Sequence, residues 1–464
     1  MSSELRTELA AAGRIAAHHG HEGSIGLSRI LIGDDSLGQL PAAVARVTGR
    51  GEIVILEDAT PMLIAGKDLK SHAAAVLARV GAARRVVLGP PDGALHADAD
   101  AIATAAEAAK GAGCLVSVGS GTLTDVAKEA SHRSGVPLVA VQTAASVNGY
   151  ADGMAVVLKD GVKRTVPSAR PIELLVDTRV LVDAPPTLTR SGFAEMMAMF
   201  TAPADWRLAA AVGLDPRYDP DVIDLFRARG DELLVSAAAV GAGDPEALEL
   251  LALLLTQSGL AMGAVARTAP LSGTEHLISH LLDMAAVAGG GNAGLHGAQV
   301  GVSAVIASCV WERVLDRIVP ADLDTAPPSP QVAEELVEKA FAGIDPGGVM
   351  ARECWSDYQR KLAAWTEVDR AALGAEWSSL RDELGGMVRS PELIVAALTE
   401  AGAATRFSLL DPPVDVELAR WAVASCHLMR DRFSVVDLAF FTGNWTADDV
   451  DAVLERANGL GAGL

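Results

Sequence analysis

The first third of the chain alternates short runs of β-branched residues with alanine-rich stretches. These stretches, AAAVLARVGA and AIATAAEAAKGAG, place apolar residues at helical spacing. Parallel strands covered by helices on both faces are apolar throughout, as these runs are. The pattern therefore predicts a doubly wound α/β domain, whose sheet should be completed by strands around residues 154–158 and 174–176. The five runs are centred near Ile32, Ile55, Val87, Val116 and Val139.

The sequence changes character after Pro185, where strand-like runs end and amphipathic or apolar helical segments follow. A chain of 464 residues is long enough for two hydrophobic cores. We predict an α/β domain over residues 1–183 and an all-α domain over residues 184–464. The most apolar run, residues 250–266, includes three polar residues and two glycines, which favours a buried core helix over a membrane span.

The charge balance limits the partners that the protein can have. Lysine and arginine total 38 against 59 aspartates and glutamates, a net charge of -21. Nucleic acids and anionic membranes would be repelled, so neither is expected as a partner, and an anionic substrate would need a local basic pocket. The four cysteines form no CxxC pair, and the charged N-terminus lacks the apolar stretch of an export signal. We expect a soluble, cytoplasmic protein.

A glycine-containing turn, residues 119–122, follows the fourth apolar run in LVSVGSGTLTD. Glycine at a strand-to-helix junction lets the backbone approach a pyrophosphate, and the N-terminus of the next helix, expected near Asp125, favours an anion. Because the spacing differs from GxGxxG, an ordinary turn remains the alternative.

Two further strand ends suit a dinucleotide. The second run ends in Glu57 and Asp58, where a carboxylate could bind an adenosine ribose, although an acidic strand end is often only a solvated loop. The fifth run ends in small residues that could line the cleft, including Thr143, Ala144 and Ser146. Together these features predict an NAD or NADP site.

Three of the ten histidines fall within one short stretch of the helical part. His276 and His280 are four residues apart and would share one face of a helix, and His296 follows a glycine-rich break. Two imidazoles with one carboxylate are a common ligand set for a catalytic divalent metal. A histidine pair alone would more often be structural, but the third histidine favours a metal site.

Glu195 is the best candidate for the carboxylate ligand. It lies in the apolar segment SGFAEMMAMFTA, where a buried charge is costly unless it is paired or bound to a metal. A salt bridge to Arg190 or Arg207 is the alternative.

The segments GSGTLTDVAK, LSGTEHLISHLLDM, GLHGAQVGV and LMRDRFSVVDLA resemble the sn-glycerol-1-phosphate dehydrogenases, which share a fold with iron-containing alcohol dehydrogenases and dehydroquinate synthases. The resemblance covers residues 30–439. It implies a Rossmann-like N-terminal domain, a helical C-terminal domain, a divalent metal (zinc, nickel or iron) and a homodimer or higher homo-oligomer. It also matches residues to cofactor positions, namely Gly119, Ser120, Gly121, Thr122, Asp125, Thr143, Ala144 and Ser146.

The resemblance further assigns His276 and His296 as metal ligands and His280 as a histidine facing the substrate. Several active-site positions depart from the family pattern. Ser120 interrupts a GGG run, Asn148 replaces an aspartate that contacts substrate, and Glu195 replaces the metal-binding aspartate. Met199 stands in place of a lysine, and Ala298 in place of the glutamate of HGE.

These features lead to one main hypothesis: hydride transfer between a nicotinamide cofactor and a small phosphorylated polyol or its ketone. The metal would act as a Lewis acid and His280 would transfer the proton, with Asn148 near the substrate. Lys163 and Arg164 are candidates for binding the phosphate, although adjacent basic residues in a hairpin are usually just solvated. A glutamate metal ligand is also typical of dehydroquinate synthases, so a sugar-phosphate cyclase with recycled NAD is an alternative, as is a catalytically silent homologue.

Overall fold

The computed structural model describes residues 3–20, 27–90, 94–159 and 162–464, and for residues 3–8, 159, 162 and 163 it describes the backbone alone. The chain forms two compact units. The first contains residues 1–193 and 221–267, and the second contains residues 194–220 and 268–464. The two units therefore interleave along the chain. The domain boundary after residue 183 stays a prediction from the sequence.

A six-stranded parallel sheet lies in the first unit, in the strand order β1-β10-β7-β6-β2-β5. The predicted α/β class is confirmed, and all five apolar runs form strands of this sheet. The strand expected around residues 154–158 exists, but it pairs with β9 in a separate antiparallel hairpin, so its assignment to the sheet was wrong. The strands are β1 (Arg29–Gly33), β2 (Ile53–Asp58), β3 (Leu63–Ile64), β4 (Lys67–Asp68), β5 (Ala83–Leu88), β6 (Cys114–Gly119), β7 (Leu138–Gln142), β8 (Met154–Lys159), β9 (Val162–Pro167) and β10 (Glu173–Asp177).

Helices connect and cover these strands. The first stretch of chain contains α1 (Ser3–His18), α2 (Leu40–Val47), α3 (Leu69–Leu77), α4 (Ala99–Ala109), α5 (Gly121–Ser134), α6 (Thr178–Asp183) and α7 (Pro186–Glu195). After α8 (Ala202–Ala211), the chain forms α9 (Pro220–Arg227), α10 (Gly230–Val235), α11 (Ala237–Ala242) and α12 (Pro245–Val265). Successive residues of β2 face opposite sides of the sheet, so Ile53 and Ile55 join one apolar cluster and Val54 and Leu56 join the other.

The second unit is helical throughout its described residues, as the sequence predicted. Its helices after α8 are α13 (Thr274–Ala288), α14 (His296–Arg317), α15 (Pro330–Phe341), α16 (Val349–Thr366), α17 (Arg370–Met387), α18 (Pro391–Glu400), α19 (Val416–Ser425), α20 (Val435–Phe441) and α21 (Ala447–Gly459). Short 3-10 helices span Ser36–Gln39, Met196–Phe200, Ala269–Leu271, Pro320–Asp324, Phe407–Leu409 and Cys426–Leu428.

Two helices, α12 and α14, are long and apolar enough to cross a membrane by length and composition. In the structure, 94% of the apolar window of α12 and 78% of that of α14 are buried within the protein. Such burial is typical of core helices in soluble proteins.

The strand order contains a topological switch point between β2 and β6. From β2 the chain continues outward to β5, and from β6 it continues to β7 on the other side. Ligands of open α/β sheets bind beyond the carboxyl ends of the strands at such a point. Asp58 at the end of β2 and Gly119 at the end of β6 both lie there.

Gly259 in the buried helix α12 lies against the turn that contains Asn148. A Cβ at this position would be 2.6 Å from the Asn148 carbonyl oxygen, a backbone atom that cannot rotate away. The helix can therefore pack this closely only with glycine.

We predict that Gly259→Ala lowers the free energy of unfolding by about 1–3 kcal/mol, because it overpacks this contact. Gly386→Ala is the matched control, since Gly386 is also helical and its Cβ would have no heavy atom within 4 Å. The control should be neutral or stabilising by up to about 1 kcal/mol. Scanning calorimetry of both variants checks this, and equal melting curves would contradict the packing argument.

Candidate metal centre and nucleotide site

The glycine turn lies where β6 passes directly into α5. The helix begins at Gly121, four residues before the predicted start, and Ser120 is its N-cap. Gly121 and Thr122 therefore form the first turn of α5, where the backbone N–H groups have no partner within the helix and favour an anion. A Cβ on Gly119 would be 2.4 Å from the Leu123 side chain, so this close strand-to-helix junction also depends on glycine.

The other predicted cofactor residues lie at neighbouring strand ends. Thr143, Ala144 and Ser146 follow β7 and are buried, and the Thr143 N–H donates to the Gly119 carbonyl oxygen at 3.2 Å. Asp58 is at the end of β2, but its Oδ1 already accepts a 2.6 Å hydrogen bond from Lys70. A ribose hydroxyl would have to share this carboxylate with the lysine.

Asp125 lies on α5 and is partly exposed. Burial raises its pKa to about 7, although the nearby Lys128 charge opposes the shift. The Lys128 ammonium is fully buried and donates to the Gly149 carbonyl oxygen at 2.7 Å and to Asp152 at 2.5 Å. It therefore fixes the turn that follows Asn148, the position where the family has a substrate-contacting aspartate.

The three predicted metal ligands meet in the second unit. Glu195 is the last residue of α7, His276 lies in the first turn of α13, and His296 is the first residue of α14. Glu195 Oε1 is 3.5 Å from His276 Nε2, and Glu195 Oε2 is 3.9 Å from His296 Nε2. Two ligand atoms on one tetrahedral ion are about 3.4 Å apart. The three side chains therefore have nearly the spacing that a bound metal requires.

Hydrogen bonds fix the tautomer of both imidazoles. His276 Nδ1 is 2.9 Å from Glu275 Oε1, and His296 Nδ1 is 3.1 Å from Ser279 Oγ, whose hydroxyl donates to Gln299 Oε1 at 2.8 Å. Both Nδ1 atoms therefore carry the proton, and both Nε2 atoms face the Glu195 carboxylate. This arrangement is the outer-shell pattern of metal-binding histidines.

The Glu195 carboxylate has unused binding capacity. Its side chain is 2% exposed, and Oε2 has no hydrogen-bond partner among the described residues. Such an oxygen is costly in an apolar environment unless a cation balances it. The residues present therefore fit a divalent metal.

A second group of potential ligands, His280, Asp283 and His296, shares His296 with the first. The rings of His280 and His296 are stacked, with centroids 5.5 Å apart and an interplanar angle of 22°. In the group that contains Glu195, the carboxylate faces the Nε2 atoms of both imidazoles, and we take this group as the candidate site.

Burial opposes the charged form of His276, but its bonds to Glu195 and Glu275 outweigh this effect and raise its pKa to about 9. A metal bound at Nε2 would therefore displace a proton from this nitrogen. Burial would raise the pKa of Glu195, but the charges of His296 and His276 hold it below its ordinary value. The Glu195 carboxylate is therefore ionised at neutral pH. Burial, together with the charges of Arg430 and the other histidines, holds the pKa of His280 well below its ordinary value, so His280 is neutral.

A buried network that the sequence did not predict holds His276 in place. Glu275 accepts hydrogen bonds from the Gly273 N–H at 2.6 Å and from the Thr201 hydroxyl at 2.8 Å. Burial and the Glu275 charge raise the pKa of the neighbouring Asp205 to about 7. The one feature of the sequence that could have identified Glu275 is that it directly precedes His276.

The close approach of α14 to the Glu195 segment depends on Gly301. A Cβ there would be 2.6 Å from Ala194 Cβ, in the residue that precedes Glu195. Glycine at this position lets the helix that begins with His296 pack against the segment that contains the carboxylate.

The structure bears on two further predictions from the sequence, the salt bridge of Glu195 and the basic residues of the β8–β9 hairpin. Arg207 forms a bidentate pair with Glu383, at 2.6 and 2.8 Å, so its proposed salt bridge to Glu195 was wrong. The ion-pair contacts of Glu195 within the described residues are with His276 and His296. Arg164 is an exposed residue of the β8–β9 hairpin in the first unit, and the Lys163 side chain lies outside the described part.

The fold defines the class of protein. Glycerol dehydrogenase from Schizosaccharomyces pombe superposes with a TM-score of 0.59 at 14% identity, covering 94% of this chain and 90% of that one. Maleylacetate reductase from Rhizobium sp. strain MTP-10005 superposes with a TM-score of 0.56 at 19% identity, covering 93% and 96%. A sequence profile described as iron-containing alcohol dehydrogenase matches residues 31–185. The chain thus has the iron-containing alcohol dehydrogenase fold.

Sequence relatives narrow this class to one family. The glycerol-1-phosphate dehydrogenase [NAD(P)+] of Haloquadratum walsbyi is 30% identical over 353 residues, which cover 73% of this chain and 96% of the relative. The enzyme of the same name from Bacillus licheniformis is 27% identical over 411 residues, covering 88% and 87%. The chain belongs to the glycerol-1-phosphate dehydrogenase family.

We predict that Glu195→Gln weakens metal binding by more than about 100-fold, beyond the loss typical of an outer-shell partner, because an amide lacks the charge that balances the ion. His276→Ala should have a similar effect, and Glu195→Asp should be only partly tolerated. The matched control is Glu383→Gln, an exposed ion-pair residue of the same unit. Metal content by mass spectrometry checks this, and full retention in Glu195→Gln would contradict the ligand assignment.

Proposed function

We propose that this protein is a metal-dependent NAD(P) oxidoreductase that transfers hydride between a nicotinamide cofactor and a small phosphorylated polyol or its ketone, as glycerol-1-phosphate dehydrogenases do. The observation that carries the proposal is the buried Glu195 carboxylate, which faces the Nε2 atoms of two imidazoles. Residues of the first unit would bind the dinucleotide, and residues of the second would bind the metal.

A divalent ion held by Glu195, His276 and His296 would supply Lewis acidity, lowering the proton affinity of the substrate oxygen. Zinc, nickel and ferrous iron all suit two imidazoles and a carboxylate. The chain's own groups supply the rest: Glu275 and Ser279 keep both ligand rings in the required tautomer, and apolar residues around Glu195 exclude water.

His280 is the group that would move the proton. Its ring lies 6.1 Å from that of His276 and 5.5 Å from that of His296, so it is next to the proposed ligands. Its depressed pKa keeps the imidazole in the neutral form that accepts a proton. The metal would lower the proton affinity of the substrate oxygen and so compensate for the weak basicity that this shift gives His280.

The departures from the family pattern leave this chemistry possible. Glu195 preserves the charge and number of the ligands, although it is one methylene longer than aspartate. Met199 is fully buried in an apolar segment, so this position has no ammonium group of the kind that the family pattern places there. Asn148 retains hydrogen-bonding capacity without the charge. The relatives described above are named dehydrogenases, which supports neither the cyclase hypothesis nor the hypothesis of a catalytically silent homologue.

The dehydrogenase and cyclase hypotheses differ in net redox change. With sn-glycerol 1-phosphate and NAD or NADP, a dehydrogenase should form reduced cofactor in proportion to product, measured by its near-ultraviolet absorbance. A cyclase regenerates its cofactor and would show no net change. We also propose that the enzyme is cytoplasmic and forms a homo-oligomer.

We predict that His280→Ala keeps its metal but loses turnover by about 10²–10⁴-fold, because the general acid-base group is gone while Glu195 and both other histidines remain. His132→Ala is a control for removing a histidine, because His132 is an exposed residue in the last turn of α5. Turnover and metal content are measured on the same preparations. Loss of metal in His280→Ala would place this residue among the ligands instead.

We predict that Gly121→Val abolishes most nucleotide binding, because a branched side chain in the first turn of α5 blocks the approach of a pyrophosphate. Gly386→Val is the control, in a helix far along the sequence from this turn. Calorimetric titration with NAD(H) and NADP(H) is the measurement. Parent-like affinity in Gly121→Val would rule out this turn as the pyrophosphate site.

A further inference from the structure

The segment MRDRF, residues 429–433, brings two arginines close to the histidine cluster in a strongly acidic chain. It follows the 3-10 helix Cys426–Leu428, which packs against α13, the helix that contains His276 and His280. Arg432 of this segment donates to Ser272, which lies four residues before His276. This concentration of positive charge has no role in the chemistry derived so far.

A buried lysine fixes the backbone of this segment. Lys361 of α16 is fully buried and donates to the carbonyl oxygens of His427 and Arg432. Arg430 lies between these two contacts in the sequence. The charge of Lys361 is balanced by Asp437, 2.6 Å away and also fully buried. Breaking such a pair is costly, so the loop has a well-defined position.

The two arginines differ in their surroundings. Arg432 donates to Ser272 and Thr268, just before α13, and the charges of Glu275 and Asp205 offset its own. It therefore holds the loop against the start of that helix. Arg430 is half-buried, so part of this residue is exposed to solvent. Burial and the charge of Arg430 lower the pKa of Arg432 to about 10, which shows that the two guanidinium groups repel each other.

We propose that Arg430 binds the phosphate group of the substrate, and that Arg432 and Lys361 are positioning residues that hold its loop beside α13. The assignment rests on the proposed function for the identity of the substrate. A guanidinium matches a phosphate with two parallel hydrogen bonds, and a dianion relieves the repulsion between two arginines. Arg430 shares a unit with the proposed metal ligands. Lys163 and Arg164 stay the prediction from the sequence, and Arg430 is the candidate that the contacts around α13 favour.

The experiment compares the metal-loaded full-length protein with Arg430→Gln, Arg430→Lys and Arg381→Gln. Arg381 is an exposed arginine of α17 in the same unit, so its variant matches the change in charge. The first probe is inorganic phosphate, titrated by calorimetry. We expect Arg430→Gln to bind phosphate about 10- to 100-fold more weakly, Arg430→Lys to be intermediate, and Arg381→Gln to equal the parent.

The second measurement is kcat/KM for sn-glycerol 1-phosphate and for glycerol, which lacks the phosphate. Arg430→Gln should lower kcat/KM for the phosphorylated substrate by about 10- to 100-fold more than it changes kcat/KM for glycerol. Equal losses with both substrates, or unchanged phosphate binding, would overturn the assignment. If Arg430→Gln does not fold, a parent-like Arg430→Lys would also overturn it, since lysine cannot form the bidentate contact.

Two further outcomes distinguish a site for the substrate phosphate from a site for a different anion. If Arg430→Gln weakens the binding of NADP but not of NAD, the anion is the cofactor's own phosphate and the assignment to substrate is wrong. If the parent turns over no phosphorylated polyol, yet its phosphate affinity depends on Arg430, the proposed function fails while the anion site stands.

Discussion

The charge of one buried carboxylate governs the arrangement around it. Glu195 is enclosed by apolar side chains, and an ionised carboxylate there would be prohibitively costly without partners. His276 and His296 lower its pKa below the ordinary value and keep it charged. Its second oxygen still lacks a hydrogen bond from the described residues, which a divalent cation would resolve. The close approach at Gly301 lets α14, which begins with His296, pack against the segment that contains this carboxylate.

The outer residues of the site matter because an imidazole can bind a metal only through an unprotonated nitrogen. Glu275 and Ser279 hold the protons on Nδ1 and so direct both Nε2 atoms to the same point. Glu275 is in turn fixed by Thr201 and the Gly273 backbone. The same region contains Arg432, whose charge Glu275 helps to offset. Metal binding and the proposed recognition of phosphate thus share one buried polar network.

The proposed nucleotide site has a different physical basis. It depends on backbone geometry: a glycine junction, the N–H groups of a helix N-terminus and a switch point in strand order. Few charged side chains are needed, and of the two acidic candidates, Asp58 and Asp125, the first is already paired with Lys70. A site of this kind would tolerate changes at polar active-site positions, because it relies on the backbone.

Local sequence determined much of this protein. Apolar runs of strand length specified the parallel sheet, and the rarity of histidine, together with the apolar context of Glu195, identified the three candidate ligands. The sequence also predicted that the C-terminal part is mostly helical, because helical periodicity is a local property. It assigned β8 to the wrong sheet, since a strand's pairing partner is not encoded in its own residues. Only the tertiary structure placed Glu275, Ser279 and the Arg430 loop around the ligands, because contacts between residues far apart in sequence depend on how the helices pack.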